Sequence, residues 1–175
     1  MSEHAQRFIA HLIALRERDP GAIAALRHSL AFDPGAYPKA YPHVERFVGV
    51  DRPAHDAWRL ALYAVAGLFA RHPAQREQSF ATAFGELMRK RESQSIEGRF
   101  IALLGADADN ILDYLRQAIS LLAGDDIGLD YARLLDDLRV WMNPNADRDR
   151  LRQRWARDFY RAAESQTEPP ISSAS

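Results

Sequence analysis

A chain of 175 residues suits one compact domain and is long enough to bury a core without disulfides or structural metal ions. Hydrophobic residues make up 47% and charged residues 27%, and few residues are β-branched, a mixture that favours helices over sheets. The absence of cysteine excludes a disulfide framework and cysteine-based zinc or iron–sulfur sites, and a net charge of −1 argues against a surface that binds polyanions on every side.

The N-terminal segment carries no signal for export. It lacks a basic stretch followed by an unbroken apolar stretch, and the longest apolar run, Leu60 to Ala70, is too short to span a bilayer. A chain without cysteine is typical of a reducing compartment. We therefore expect a cytoplasmic protein that does not associate with membranes.

Helical periodicity and capping residues predict an all-α fold, a single compact bundle of about eight or nine helices. The first helix is predicted from Glu3 to Arg18, where Asp19-Pro20 ends it and caps a second helix that runs to about Leu30. The proline-rich residues 33–43 predict an irregular connection, followed by a short helix near Val44 to Val48.

The middle of the chain contains the most apolar segment and the densest basic run. The segment from Pro53 to Arg71 predicts a helix that is buried on nearly all sides, because its apolar face is wider than a normal stripe. Ser79 is predicted to cap the next helix, which ends in the basic run Arg89 to Arg91. Ser93 or Ser95 is predicted to cap the helix after it.

The last third of the chain predicts three more helices and a tail. These helices start at Asp107, at about Asp130 and at Asp147, and the last of them ends at Glu164. Residues 165–175 are rich in serine and proline and should be disordered. The sequence therefore predicts one helical domain over residues 1–164 with a disordered C-terminal tail.

No catalytic motif is recognisable. The chain has no glycine-rich phosphate loop, no H-E-x-x-H segment and no nucleophile elbow. The six histidines are scattered, and the pairs of neighbouring aspartates are more typical of caps and turns than of metal ligands. We expect no catalytic residue, no metal and no cofactor. Trp58, Trp141 and Trp155 lie on apolar stripes and are predicted core residues, not platforms for stacked bases.

Basic residues are the remaining candidate for a functional surface, and they are unevenly distributed. Residues 105–147 carry three basic against nine acidic residues, whereas Arg148 to Arg161 contains six arginines against two aspartates. Any nucleic-acid contact should therefore follow a track across one face. A basic run at the end of a helix, such as Arg89 to Arg91, is also favoured by the helix dipole, so a solvated helix end is the competing interpretation.

Five segments in order along the chain carry a family resemblance. They are Asp19 to Arg27 with the pattern D-x-G-x-x-A-x-L-R, Ser79 to Phe84, Glu97 to Leu104, Leu129 to Trp141, and Trp155 to Tyr160. In order and spacing they resemble the CasB family, the small subunit of the type I-E CRISPR surveillance complex Cascade. The chain departs from the family pattern at His28, where a basic residue is common, at Ala81 for glycine, at Gly98 for the first arginine of E-R-R-F, and at Tyr131 for tryptophan.

The resemblance implies an all-helical, non-catalytic subunit that is present as a pair in the complex. The implied partners are the other Cascade subunits, guide RNA, target DNA and a second copy of the chain. The implied role is to hold the displaced strand and the guide–target hybrid of the R-loop. Because the guide reads the sequence by base pairing, such a protein needs only contacts to phosphates, which arginine and lysine can supply.

The candidate nucleic-acid-binding residues come from two sources. Arg27, Arg99 and Arg116 lie at basic positions of the family motifs, and His28 lies next to the first of them. Charge alone adds Arg89, Lys90, Arg91, Arg148, Arg150 and Arg152. His28 and Gly98 suggest weaker phosphate contact at two points of the track, for which the run at Arg89 could compensate.

Two other classes of protein fit the same residues. A helical adaptor could use its basic residues to bind acidic protein surfaces, and DNA binding that weakens as salt rises would distinguish the present interpretation from it. A helical hydrolase could use histidine and aspartate as metal ligands, and metal analysis of the purified protein would test for it.

Overall fold

The computed structural model describes residues 2–164, and over this part the chain forms nine α-helices and two short 3₁₀ helices. The prediction of an all-α bundle of about eight or nine helices is confirmed. The predicted disordered tail, residues 165–175, lies outside the described residues. The α-helices are α1 (Glu3–Arg18), α2 (Pro20–His28), α3 (Tyr41–Val48), α4 (Ala57–Arg71), α5 (Phe80–Arg91), α6 (Gln94–Leu104), α7 (Ile111–Gly124), α8 (Tyr131–Trp141) and α9 (Asp149–Glu164).

Short polar side chains cap several helices where the sequence predicted them. Asp19 accepts a hydrogen bond from the amide of Ala22 at 3.0 Å, and Pro20 follows it as the first helical residue of α2. Ser79 accepts from the amide of Thr82 at 3.1 Å at the start of α5. These bonds satisfy amide groups that have no partner within the helix.

Helix α9 starts two residues later than predicted, and two other helices start about one turn later. The Asp107 carboxylate accepts hydrogen bonds from the amides of Asp109 and Asn110, at 3.1 and 2.9 Å, and so forms a turn instead of the first turn of a helix. As a result α7 begins at Ile111. Helix α4 likewise begins about one turn after its predicted start, behind an aspartate cap.

Helix α4 is the centre of the bundle and is contacted by α2, α3, α7 and α8. Every residue from Ala61 to Ala70 is buried, as the wide apolar face predicted. Gly67 permits a close approach to the segment after α2, because a Cβ atom at this position would lie 2.6 Å from Cδ2 of Leu30. Arg71, the last residue of α4, is exposed, so the helix ends with a cation at the surface.

No helix in the described part of the chain has the length and apolar character needed to cross a membrane.

The second half of the core is built around the packing of α5 against α9. Gly85 lets the two helices approach, since an added Cβ would lie 2.2 Å from the carbonyl oxygen of Phe159. The ring of Phe159 stacks on that of Phe100 with centroids 4.0 Å apart. Trp141 and Trp155 pack with centroids 4.9 Å apart. An aromatic cluster thus joins α6, α8 and α9.

The three tryptophans are buried, which confirms their predicted place in the core. Each indole N–H donates a hydrogen bond inside the protein. The acceptors are the carbonyl of Phe47 for Trp58, the carbonyl of Ala106 for Trp141, and the carboxylate of Asp137 for Trp155. None of these rings is presented to solvent as a surface for stacking.

Candidate nucleic-acid interface

Arg27 lies where α2 meets the C-terminal end of α4. Its Nε donates a hydrogen bond to the carbonyl oxygen of Ala70 at 3.3 Å, in the last turn of α4, where carbonyl groups have no partner within the helix. The residue is nevertheless exposed. Because a guanidinium has five N–H donors, this bond orients the side chain and leaves others for a ligand.

Arg116 is held in the same way from α7. Its Nη1 donates to the carbonyl oxygen of Leu30 at 2.8 Å, in the 3₁₀ helix Ser29–Ala31 that follows α2. Arg116 is also exposed. Two arginines that are 89 positions apart in the sequence are therefore each oriented by a backbone carbonyl on the same side of the bundle.

These two arginines line a common surface cavity. A cavity of about 440 Å³ is lined by Arg27, His28, Arg71 and Arg116 together with small and apolar residues. A second cavity of about 470 Å³ shares Arg27 and Arg71 with the first and extends to Arg16. No aspartate or glutamate of residues 2–164 lines either cavity. We call this surface, formed by Arg16, Arg27, His28, Arg71 and Arg116, the cationic trough.

Arg99 lies near the trough but in a different cavity. Its Nη1 donates to Oε1 of Gln117 at 3.5 Å, and Gln117 is the neighbour of Arg116 on α7. The cavity that Arg99 lines has a volume of about 430 Å³ and mainly apolar walls, among them Leu103 and Tyr114. The structure therefore brings Arg27, His28 and Arg116 together and places Arg99, a residue of α6, against another side of α7.

The basic run at the end of α5 is bound to the protein itself. Arg91 donates two hydrogen bonds to the carboxylate of Asp125, with distances of 3.1 and 2.9 Å. The hydrogen bond with Arg91 lowers the pKa of Asp125, and the same bond raises the pKa of Arg91. Lys90 reaches the carbonyl of Asp125 at 3.5 Å, and Arg89 donates to the carbonyl of Ala162 at 3.2 Å. The run thus connects α5 to the ends of α7 and α9.

The arginines at the start of α9 also differ in their surroundings. Arg148 donates from Nε to the carbonyl of Trp141 at 3.0 Å, and Arg152 donates from Nε to the carbonyl of Leu104 at 2.7 Å. Both are half-buried, whereas Arg150 is exposed. Arg148 and Arg152 therefore satisfy carbonyl groups at the C-terminal ends of α8 and α6.

Arg16 and Arg71 are trough residues that sequence reasoning missed. Arg71 is the last residue of the most apolar segment, and Arg16 is one of two arginines in the last turn of α1. Each has an ordinary explanation as a cation that is favourable at a helix C-terminus. Their meeting with Arg27 depends on how α1, α2 and α4 pack, for which the sequence offers no local signal.

The histidines are not grouped as metal ligands in the part of the chain that the structure describes. Among residues 2–164 no group of three or more histidine, aspartate or glutamate side chains is placed to hold a metal ion. His72 is buried, and its Nε2 is hydrogen-bonded to the carbonyl of Ile127 at 2.7 Å. Burial lowers the pKa of His11, whose ring joins α1 to α3. These contacts favour structural roles for both side chains.

Comparison with known proteins gives one consistent family. The model of the family described as CRISPR-associated protein Cse2 matches residues 22–160. The curated CRISPR-associated protein Cse2 of Thermus thermophilus is 43% identical over 151 residues, which is 84% of this chain and 83% of that protein. The crystal structure of CasB from Thermus thermophilus is 41% identical, with a TM-score of 0.77 over 91% of this chain and 99% of that one. A chain of a CRISPR RNA-guided surveillance complex, 24% identical, has the same fold, with a TM-score of 0.77 over 93% and 94% of the two chains.

Proposed function

Because the chain belongs to the CRISPR-associated Cse2 family, we propose that it is a non-catalytic small subunit of a type I-E Cascade complex that stabilises the R-loop. Its partners are the other Cascade subunits, guide RNA, target DNA and a second copy of itself, in the cytoplasm. Cse2 and CasB are two names of one family, so the match agrees with the resemblance of the sequence motifs to CasB. The fold shared with a chain of a surveillance complex supports this assignment.

The observation that carries the proposal is the cationic trough. Four arginines from α1, α2, α4 and α7 line two adjacent cavities into which no acidic side chain of the described residues reaches. Guanidinium groups bind phosphates through paired N–H donors, independently of the base sequence. The carbonyl bonds of Arg27 and Arg116 restrict these side chains before a ligand arrives, which lowers the entropic cost of binding.

The other candidate residues contribute in different degrees. Arg99 lies outside the trough, in the cavity beside Gln117, and would offer a phosphate contact separate from that of Arg116. The run at Arg89 to Arg91, together with Arg148 and Arg152, has its hydrogen-bonding groups directed at carbonyl and carboxylate oxygens of the protein. We assign these residues to the fold and not to phosphate contact. Arg150 is exposed and remains a candidate for phosphate contact.

Substitution of trough arginines by glutamine, which has a side chain of similar polarity without charge, tests the proposal. We expect Arg27→Gln, Arg71→Gln and Arg116→Gln to weaken binding to single-stranded DNA in low salt. The affinity falls as salt rises, and in each variant this fall should be less steep. The slope of log affinity against log salt should be smaller in magnitude by about 0.7, the contribution of one phosphate contact. Arg91→Gln is the matched control, because its guanidinium is bound to Asp125, and it should keep the wild-type slope.

The same variants should be compared in the assembled complex. The three trough variants together should shorten the lifetime of the R-loop while leaving assembly of the subunits intact, since the trough lies on the surface and not in the core. DNA binding without salt dependence, or a slope that the trough variants do not change, would contradict phosphate contact at this site. That result would favour an adaptor that binds acidic protein surfaces.

A further inference from the structure

A third cavity, of about 420 Å³, lies on the other side of Arg116. Its walls include the apolar side chains of Leu60, Leu112 and Met142 and the aromatic ring of Phe32. Arg116 lines both this cavity and the cationic trough. The two cavities are therefore adjacent, with one guanidinium between them. We call this one the Phe32 cavity.

Phe32 presents an aromatic ring at the surface. It follows the 3₁₀ helix after α2 and is 44% exposed, which is unusual for a phenylalanine in a chain whose core takes up most of the other phenylalanine rings. Tyr37 stacks on it, with ring centroids 4.9 Å apart and an interplanar angle of 11°. The ring of His28 lies 5.8 Å from Phe32 and 5.2 Å from Tyr37. The stacked Tyr37 holds the Phe32 ring in a fixed orientation.

The three aromatic rings connect the two surfaces. His28 lines the cationic trough, and Phe32 lines the neighbouring cavity. A chain of rings therefore runs from the arginines to the apolar walls of Leu60 and Leu112. Arginines beside an exposed aromatic ring are the combination by which proteins bind single-stranded nucleic acids, because phosphates need cations and bases need a flat apolar surface.

The polar residues of the Phe32 cavity differ in sign from those of the trough. Asp33, Asp109 and Asp113 line the cavity, and they are exposed. Carboxylates repel a phosphate, so they favour a phosphate position on the arginine side of Arg116. They accept hydrogen bonds from the exocyclic amino groups of adenine, cytosine and guanine, which thymine lacks. The charges therefore match one nucleotide, with its phosphate in the trough and its base in the cavity.

We propose that the Phe32 cavity binds a base of single-stranded nucleic acid, stacked on Phe32, while the neighbouring phosphates lie in the cationic trough. This inference rests on the proposed function and adds a base contact to it. A paired base in a duplex is stacked between its neighbours and cannot enter the cavity without leaving the helix. The site therefore distinguishes a single strand from a duplex, and it prefers bases that carry an amino group to thymine.

An oligonucleotide of deoxyadenosine compared with an abasic strand of the same length tests the base contact, since both carry the same phosphates. We expect the full-length wild-type protein to bind the abasic strand about tenfold more weakly in low salt, the loss that removal of one stacked base causes. A thymidine strand should bind with intermediate affinity. A single 2-aminopurine in an otherwise abasic strand, where it has no neighbouring base to stack on, should lose fluorescence on binding, because stacking on an aromatic ring quenches this base.

Phe32→Leu removes the aromatic face and keeps an apolar side chain without changing the charge. We expect it to reduce the affinity for the deoxyadenosine strand to that for the abasic strand, with an unchanged salt slope. Tyr114→Leu is the matched control, because Tyr114 is also an aromatic residue at the surface, 37% exposed, but lines the cavity of Arg99. It should keep the preference for bases. Thermal unfolding identifies a variant that is misfolded. The fluorescence loss of 2-aminopurine is measured on the wild-type protein, so it tests the base contact even if a variant does not fold.

The outcomes separate this inference from the proposed function. Equal affinity for the deoxyadenosine and abasic strands, or equal effects of Phe32→Leu and Tyr114→Leu, would overturn the base contact. The proposed function would stand in that case, provided that the trough variants still lower the salt slope. If neither strand binds in low salt, or if binding does not depend on Arg27 and Arg116, both the proposed function and the base contact are wrong.

Discussion

Arg116 on α7 donates a hydrogen bond to the carbonyl oxygen of Leu30 at 2.8 Å and so connects parts of the chain that are 86 residues apart. The bond places the guanidinium between the cationic trough and the Phe32 cavity, both of which it lines. One side chain thus supports the neighbouring segment and offers its remaining N–H groups to a ligand.

Replacement of Arg116 by lysine tests whether the guanidinium must bind the carbonyl of Leu30 and a phosphate at the same time. We expect Arg116→Lys to bind single-stranded DNA roughly tenfold more weakly than the wild type, because an ammonium group lacks the planar fork needed to bind Leu30 and a phosphate together. The salt slope should stay close to that of the wild type, because the charge is retained, whereas Arg116→Gln lowers it. Arg150→Lys, at an exposed position of α9, serves as control. Equal losses in the two lysine variants would show that only charge matters.

Gly98 offers a position at which the proposed binding of nucleic acid should be strengthened. The CasB pattern has an arginine here, and a Cβ atom at Gly98 would meet no other atom within 4 Å. We expect Gly98→Arg to fold normally and to increase the salt slope by about 0.7, because it adds one cation next to Arg99. Gly98→Ala is the control for changes in the helix itself. If the two variants have the same affinity and slope, this face of α6 does not contact phosphates.

Two glycine substitutions, at Gly85 in the packing of α5 against α9 and at Gly98 on the surface of α6, should have opposite effects on stability. In Gly85→Ala the new methyl group would lie 2.2 Å from the carbonyl oxygen of Phe159, and a backbone group cannot move without shifting α9. We expect a loss of about 1–3 kcal/mol in the free energy of unfolding. Gly98→Ala, in open space, should gain about 0.5–1 kcal/mol from its higher helix propensity. Urea unfolding of both variants measures the difference, and a stable Gly85→Ala protein would contradict the described contact.

We expect His11, which joins α1 to α3, to make the free energy of unfolding dependent on pH. Its Nδ1 accepts from Nη2 of Arg46 at 2.8 Å, and its Nε2–H therefore donates to the carbonyl of His43 at 2.8 Å. Burial, with smaller effects from the charges of Arg46 and Arg18, lowers the pKa of His11 below its ordinary value of 6.5. As pH falls below that value the unfolded chain takes up the proton first, so the free energy of unfolding decreases.

His11→Gln should remove this part of the pH dependence. We expect the wild type to be more stable than the variant at about pH 7.5 and the difference to shrink at about pH 5, where the unfolded wild-type chain is protonated at this position. Denaturant midpoints at the two pH values measure the effect. A difference that is constant or grows as pH falls would show that His11 is not kept neutral by the fold.

The helices could be predicted from the sequence because each carries its own signal. Apolar residues recur at helical spacing, and caps such as Asp19 and Ser79 depend on residues within one turn. The burial of Trp141 and Trp155 follows from the same periodicity. The predicted start at Asp107 was wrong, because its carboxylate bonds to two amides in a turn that precedes the helix. Local chemistry thus explains the correct elements as well as the displaced start.

The candidate site was predictable in part. Arg27 and Arg116 were found through family motifs, and the structure places them in one cavity, but the addition of Arg71 depends on the packing of α4 against α2. Arg91 looks like a surface cation in the sequence, because its partner, Asp125, lies 34 residues further along the chain. Phe32 lies in a segment without periodicity, and no spacing indicates its stacking on Tyr37. Contacts between distant parts of the chain decide these cases.

The close contact at Gly67 has a consequence for how variation in this protein should be interpreted. A methyl group there would push against Leu30, the residue whose carbonyl orients Arg116, so a change in the interior would displace a cation at the surface. A screen for loss of DNA binding should therefore recover substitutions at this buried position in proteins that keep every charged residue. Maps of surface charge would miss such mutants. A comparison of natural variants that considers only exposed positions would class them as neutral.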